Sequence, residues 1–124
     1  MITMMTVREL RKRTGLTQKE FSDKYNIPFG TIADWDFGRI KPKTYVLNLL
    51  ERFVMEDEIV DFKKPIIYGV NFGRLLDISG LNKTDFGKKY NITIKTVQNW
   101  SLDKNDWKIR LLERAVREDK ALGK

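Results

Sequence analysis

The residues able to do covalent or metal chemistry are few. Paired carboxylates occur at Asp34 with Asp36 and at Asp103 with Asp106, the types needed for acid–base work or cation binding, yet neither pair has a third ligand or a partner base beside it. Histidine and cysteine are absent, which removes imidazole catalysis, thiolate nucleophiles, disulfides and most zinc sites. The glycines of GVNFG, Gly69 to Gly73, are not followed by the Lys-Ser or Lys-Thr of a phosphate-cradling loop. No enzymatic activity, metal or cofactor is therefore expected. What remains are lysines, arginines and amides. The 124 residues carry a formal charge of +7, and all of the excess is local. Residues 1–62 hold 10 basic and 10 acidic residues, and residues 63–124 hold 14 and 7. A polyanion suits such a second half.

These charges sit on a sequence that occurs twice. KYNIPFGTIADW, Lys24 to Trp35, returns 65 positions later as KYNITIKTVQNW, Lys89 to Trp100, and the matches extend back through Phe21 with Phe86, Gly15 with Gly80 and Leu10 with Leu75. Beyond the tryptophans the offset is 62, where LLERFVMED (Leu49 to Asp57) faces LLERAVRED (Leu111 to Asp119), so the second copy is three residues shorter in one loop. Two copies fall short of a solenoid, and a tandem pair of domains is expected at 1–58 and 71–124. The linker between them, residues 59–70, lacks the Gly/Ser composition of a free tether. Its Ile66, Ile67, Tyr68 and Val70 are expected to pack between the units.

Each copy reads as four helices, making the chain all-α. Thr6 with Glu9 and Thr17 with Glu20 have capping-box spacing. Gly15 ends the first helix, Asn26 and Asn91 suit a left-handed turn after the second, and Ser22 and Gly87 supply the small side chain that a close helix crossing needs. Pro28 fits the first position of the third helix, and Gly38 closes it. Leu47, Leu50 and Val54, with Ile109, Leu112 and Val116 in the second copy, form the inward stripe of the fourth. Trp35, Trp100, Phe21, Tyr25, Phe86 and Tyr90 read as core. Arg11, Lys12 and Arg13 read as a solvated helix face. The acidic runs Glu56 to Glu58 and Glu118 to Asp119 read as surface on the last helix, away from a polyanion or themselves bound by another protein. At 41% apolar and 33% charged residues the chain should fold. It has no apolar run of about 20 residues and a start, MITMMTVREL, that is charged too soon for a secretory signal. A cytoplasmic address is expected, with no membrane partner.

The stretch TGLTQKEFSDKYNIPFGTIADWDFG resembles the lambda-repressor-like (Xre/Cro) helix-turn-helix family, whose usual string is T-Q-x-E-L-A-x-x-x-G-V-S-x-x-T-I-x-x-W/L-E-x-G. Thr17, Gln18, Glu20, Ser22, Ile27, Thr31, Ile32, Trp35, Asp36 and Gly38 fall on it as identities or close substitutes, with Asn26 at the family glycine. The likeness covers nearly all of residues 6–57, and SGLNKTDFGKKYNITIKTVQNW carries a weaker form in the second unit. The resemblance implies double-stranded DNA as partner, with the motif's second helix in the major groove. It places Gln18 and Lys83 at phosphate-facing helix starts. The base-facing slots become Phe29, Gly30 and Asp34 in the first unit and Ile94, Lys95 and Asn99 in the second, with Gln98 beside them and Thr31, Thr93 and Thr96 as further DNA-binding candidates. Arg39, Lys41 and Lys43 become a backbone grip, with Lys104 and Lys108 its reduced counterpart.

Lys95 and Asn99 are types that pair with guanine and adenine edges, and Ile94 can meet a thymine methyl. Phe29, Gly30 and Asp34 make a poorer reader. The expectation is a DNA-binding transcriptional regulator of phage or bacterial repressor type, a covalent pseudo-dimer binding DNA mainly through its second domain. No small-molecule ligand is expected. The alternative is a protein-binding inhibitor or antitoxin, for example a phage anti-CRISPR protein, that turns the first domain toward a protein partner.

Overall fold

The computed structural model describes residues 5–59 and 69–123. Among them the chain is all-α, with eight helices and no strand. It divides into two compact units. The first holds α1 (Val7–Thr14), α2 (Gln18–Tyr25), α3 (Phe29–Asp36) and α4 (Thr44–Ile59), and the second α5 (Phe72–Ser79), α6 (Lys83–Tyr90), α7 (Ile94–Asn99) and α8 (Trp107–Ala121). No helix among the described residues is long and apolar enough to cross a membrane.

Helix starts are fixed by side chains that satisfy the unpaired N–H groups of a first turn. Thr6 with Glu9 and Thr17 with Glu20 form complete capping boxes. Asn71 and Asn82 cap α5 and α6, and Asp106 accepts from the N–H groups of Lys108 and Ile109 at α8. Pro28 is the residue that precedes α3, one position earlier than its sequence suggests. Its carbonyl accepts from Thr31 and Ile32 while its side chain makes no cap.

Each core is a layer of aromatic and aliphatic side chains between the short helices and the long last one. Leu10, Phe21, Ile32, Leu50 and Phe53 are fully buried in the first unit, and Phe72, Leu75, Phe86, Val97, Ile109 and Leu112 in the second. Trp35 and Trp100 are buried as expected. In α4 the buried face runs through Val46, Leu50, Phe53 and Val54, while Leu47 is only half-buried.

Asn26 and Asn91 end α2 and α6 in the left-handed conformation, at φ 55° and 59°. The N–H of the next residue then folds back, Ile27 onto the Ser22 carbonyl at 3.1 Å and Ile92 onto the Gly87 carbonyl at 2.8 Å. The Ser22 hydroxyl returns the favour by donating to the Ile27 carbonyl at 2.5 Å. At Gly87 there is no room for a side chain: a Cβ would lie 2.9 Å from the Ile92 carbonyl oxygen and 3.3 Å from a Val97 methyl.

A second pair of bonds explains why Lys-Tyr precedes each asparagine. The Tyr25 hydroxyl donates to Asp57 and that of Tyr90 to Asp119, both at 2.9 Å, with Lys24 and Lys89 beside the same carboxylates at 3.5 and 3.9 Å. The acidic runs are thus not plain surface. The Asp57 and Asp119 side chains are buried latches that hold α2 to α4 and α6 to α8.

Of the linker, Ile66, Ile67 and Tyr68 lie outside the described residues. The Val70 N–H donates to Glu113 within the second unit, at 3.1 Å.

Gly87→Ala is expected to destabilise the second unit by about 1–3 kcal/mol, because backbone must move to admit one methyl group. Ser22→Ala, which keeps the Cβ and loses one hydrogen bond, should cost about 1 kcal/mol. Urea denaturation of the two variants checks both values.

Candidate functional site

In the first unit the outward edge of α3 carries Phe29, 47% exposed, then Gly30, with Thr31 and Asp34 half-buried. Asp34 is not an open carboxylate. Arg39 donates its Nε to Asp34 at 3.1 Å, so the two cancel, and the Arg39 guanidinium lies 5.1 Å from the centre of the Phe37 ring. The Asp34 charge is thus offset by a neighbour, while the Arg39 side chain stays 62% exposed and still faces solvent. Lys41 and Lys43 are exposed and have no carboxylate partner among the described residues. The same loop exposes Phe37 at 64% and Ile40 at 56%, which the sequence reading passed over. The alternation of apolar and basic residues in FGRIK was the available signal.

In the second unit the edge is of another kind. Thr93, Ile94, Lys95, Gln98 and Asn99 are exposed, and the side chains of Lys95, Gln98 and Asn99 have no partner among the described residues. Thr93 caps α7 by accepting from the Thr96 N–H, and the two hydroxyls lie 2.8 Å apart. Those threonines therefore hold the helix start. The helix spans six residues against eight in α3, because Trp100 leaves helical geometry at φ −79°, ψ 126°. Lys88, also passed over, lines a groove of about 210 Å³ together with Thr84, Thr93 and Ile94.

Lys104 is not free: it pairs with Asp106 at 3.0 Å. Burial pushes the Asp106 carboxyl up, but hydrogen bonds from Lys104 and the Ile109 N–H outweigh it and hold it below its ordinary value. Lys108 lies over the Trp107 ring.

The starts of α2 and α6 differ most. Gln18 donates its amide to Asp36 at 2.8 Å, and Arg11 donates to the same carboxylate at 3.0 and 3.3 Å while also reaching the Leu16 carbonyl. Arg11, Gln18 and Asp36 thus clasp α1, α2 and α3 together. Arg11 is therefore not on a solvated face, its side chain being 17% exposed, and Arg13 pairs with Glu58. Lys12 alone of that run stays exposed and unpaired among the described residues. Burial raises the Asp36 carboxyl, yet the hydrogen bonds from Arg11 and Gln18 overcome this and keep it below its ordinary value. At the three matching positions the second unit has Leu76, Lys83 and Ser101. Lys83 has no carboxylate partner among the described residues. One unit fixes the side chain at its helix start, and the other leaves an ammonium there.

Because the folded carboxyl of Asp36 is depressed, its contribution to stability is complete above the usual carboxylate range, near pH 4, and is lost as pH falls through the folded value. Asp36→Asn should cost about 1–3 kcal/mol at neutral pH, with the gap to the parent closing below about pH 4. Denaturation curves across that range read the difference.

Comparison with protein-family models, with curated proteins and with solved structures finds no match to this chain.

Proposed function

We propose that this chain is a sequence-specific DNA-binding transcriptional regulator of the lambda-repressor-like (Xre/Cro) helix-turn-helix type, a phage or bacterial repressor with two such units in tandem. One observation carries the reading. The half with all the net positive charge also presents a helix edge whose Lys95, Gln98 and Asn99 are exposed and unpartnered among the described residues. Side chains that satisfy nothing in their own fold are available to satisfy something else.

In this reading α7 enters the major groove. Lys95 donates to the O6 and N7 acceptors of guanine, Asn99 pairs with the N6 and N7 edge of adenine, and Ile94 packs on a thymine methyl. Lys83, at the start of α6, meets a phosphate, favoured there by the positive end of the helix dipole. The first unit contributes Lys41 and Lys43 to the backbone but reads bases weakly, since its edge offers a ring, a glycine and a carboxylate already neutralised by Arg39. Joining the units in one chain raises the effective concentration of each for the same duplex, so that two modest readers act without dimerising.

A second reading has its own support. Phe29, Phe37 and Ile40 are large apolar side chains exposed on one short segment of the first unit, a composition that suits contact with a protein. The two roles are compatible, because different units carry them.

Mobility-shift titrations on selected duplexes test the assignment. Lys95→Ala should cost about 1–3 kcal/mol at one position of the site, and Lys83→Ala should flatten the dependence of log affinity on log salt by about 0.9. Phe29→Ala should cost less than Lys95→Ala. Equal losses from those two would remove the asymmetry, and binding to duplex DNA that is absent or indifferent to salt would remove the reading altogether.

A further inference from the structure

The loop after the third helix of each unit is where the two copies differ in length, and it displays its side chains differently in each. In the second unit the loop is tied down. The N–H groups of Phe72 and Gly73 donate to the carbonyls of Lys104 and Leu102, both at 2.8 Å, and the Asn105 amide reaches the Gly69 carbonyl at 3.3 Å. A Cβ on Gly73 would be 3.3 Å from Leu102. Leu102 stays 53% exposed, but an acid, Asp103, follows it and Lys104 is paired with Asp106.

In the first unit the loop is three residues longer and folds onto the end of its own helix. The Phe37 N–H donates to the Ala33 carbonyl at 3.0 Å, that of Gly38 to Trp35 at 3.2 Å and that of Arg39 to Asp34 at 2.9 Å, with Gly38 at φ 76°. These bonds fix the backbone on both sides of Phe37. Its ring is therefore displayed on a rigid turn, 64% exposed, with Ile40 at 56% three residues on. The Arg39 guanidinium lies 5.1 Å from the ring centre. From Phe37 to Lys43 the chain has three cations and no acid, and Lys41 and Lys43 have no carboxylate partner among the described residues.

We propose that Phe37 is a wedge that opens one base-pair step beside the bases faced by α3 and kinks the duplex there, with Ile40 packed on the sugars of the adjoining strand. The inference rests on the DNA-binding reading and adds to it a specificity-determining residue that makes no hydrogen bond to a base. The interleaving of the loop carries the choice of partner. Apolar side chains set between cations fit a surface that is charged outside and apolar within, as stacked bases are behind their phosphates. With Lys41 and Lys43 on phosphates, the ring so near them in the chain lies beside the same strand, where only the faces of bases can take it out of water. Rigidity of the turn serves insertion, because a ring already held in place has little freedom left to lose. Opening a step costs unstacking, and the cost is least at the flexible pyrimidine–purine steps TA and CA. The wedge thus supplies the first unit with a sequence preference that Phe29, Gly30 and Asp34 do not.

The full chain is titrated onto duplexes recovered by selection from random sequence, each carrying 2-aminopurine at a single position, and the bend is read from circularly permuted fragments. The parent should bend the duplex by about 20–90° and brighten 2-aminopurine at one pyrimidine–purine step alone. Phe37→Ala, at a surface position, should remove both signals and weaken binding by about tenfold with its salt dependence unchanged. Phe37→Leu, which keeps an apolar wedge, should bend the duplex as the parent does. Replacing the opened step by a stiff AA step should weaken the parent by about tenfold and leave Phe37→Ala indifferent. The proposal is overturned if the bound duplex stays straight and stacked, if Phe37→Ala bends it as the parent does, or if both proteins prefer the same step equally. It is also overturned if Phe37→Ala leaves DNA binding untouched, which would return the ring to a protein surface. Salt-dependent binding with the Lys95 and Lys83 effects intact and no bend removes the wedge alone, whereas absence of duplex binding removes both readings.

Discussion

Asn26 and Asn91 each reverse the chain in one left-handed residue, and the direction of the helix that follows depends on how closely the chain can then approach the helix before it. The approach is set at Ser22 and Gly87, whose carbonyls receive the N–H groups of Ile27 and Ile92. A bulky residue at either place would push the next helix outward and carry its exposed edge with it. The Tyr25–Asp57 and Tyr90–Asp119 bonds then fasten the same helix to the last one. Turn, crossing and latch together form the rigid frame on which the outward residues are displayed.

On that common frame the two units have moved apart in what they leave unsatisfied. The first closes its polar groups on one another: Gln18 and Arg11 on Asp36, Arg39 on Asp34, Arg13 on Glu58. At the start of α3 and in the loop after it, what stays exposed is largely apolar, Phe29, Phe37 and Ile40, with Lys41 and Lys43 beside them. The second leaves Lys83, Lys95, Gln98 and Asn99 without partners among the described residues and has a net charge of +7 over residues 63–124. A buried or paired polar group contributes to its own fold, whereas an unpaired one at the surface loses little by exchanging water for a ligand. Their divergence is therefore a redistribution of unsatisfied hydrogen-bonding capacity more than a change of architecture.

The frame was legible because its signals are local. Capping boxes, left-handed asparagines, the small residues at 22 and 87 and the buried tryptophans all follow from spacing within a few residues. The ion pairs were not legible, since Arg11 meets Asp36 across 25 positions and Tyr25 meets Asp57 across 32, and nothing in a run of arginines or aspartates tells which of them face inward. The repeat did hold a clue, for Lys-Tyr and the aspartate of ERFVMED and ERAVRED are kept together in both copies. The shorter loop was visible as a change of offset, but its docking on α5 was not, because carbonyls have no letter in a sequence.

That same anonymity bears on how each unit tolerates change. The first turn of α1 is secured by the side chains of Thr6 and Glu9, so replacing either residue loosens it, whereas inserting a residue in the distant loop leaves it alone. Two of the N–H groups at the start of α5 are instead secured by backbone oxygens that every amino acid possesses. Substitutions in the loop at 102–104 keep those bonds, and a change of loop length breaks them. The start of α1 is thus constrained in spelling, and that of α5, which also keeps its Asn71 cap, in loop length as well, so drift in the two halves of the gene should take correspondingly different forms.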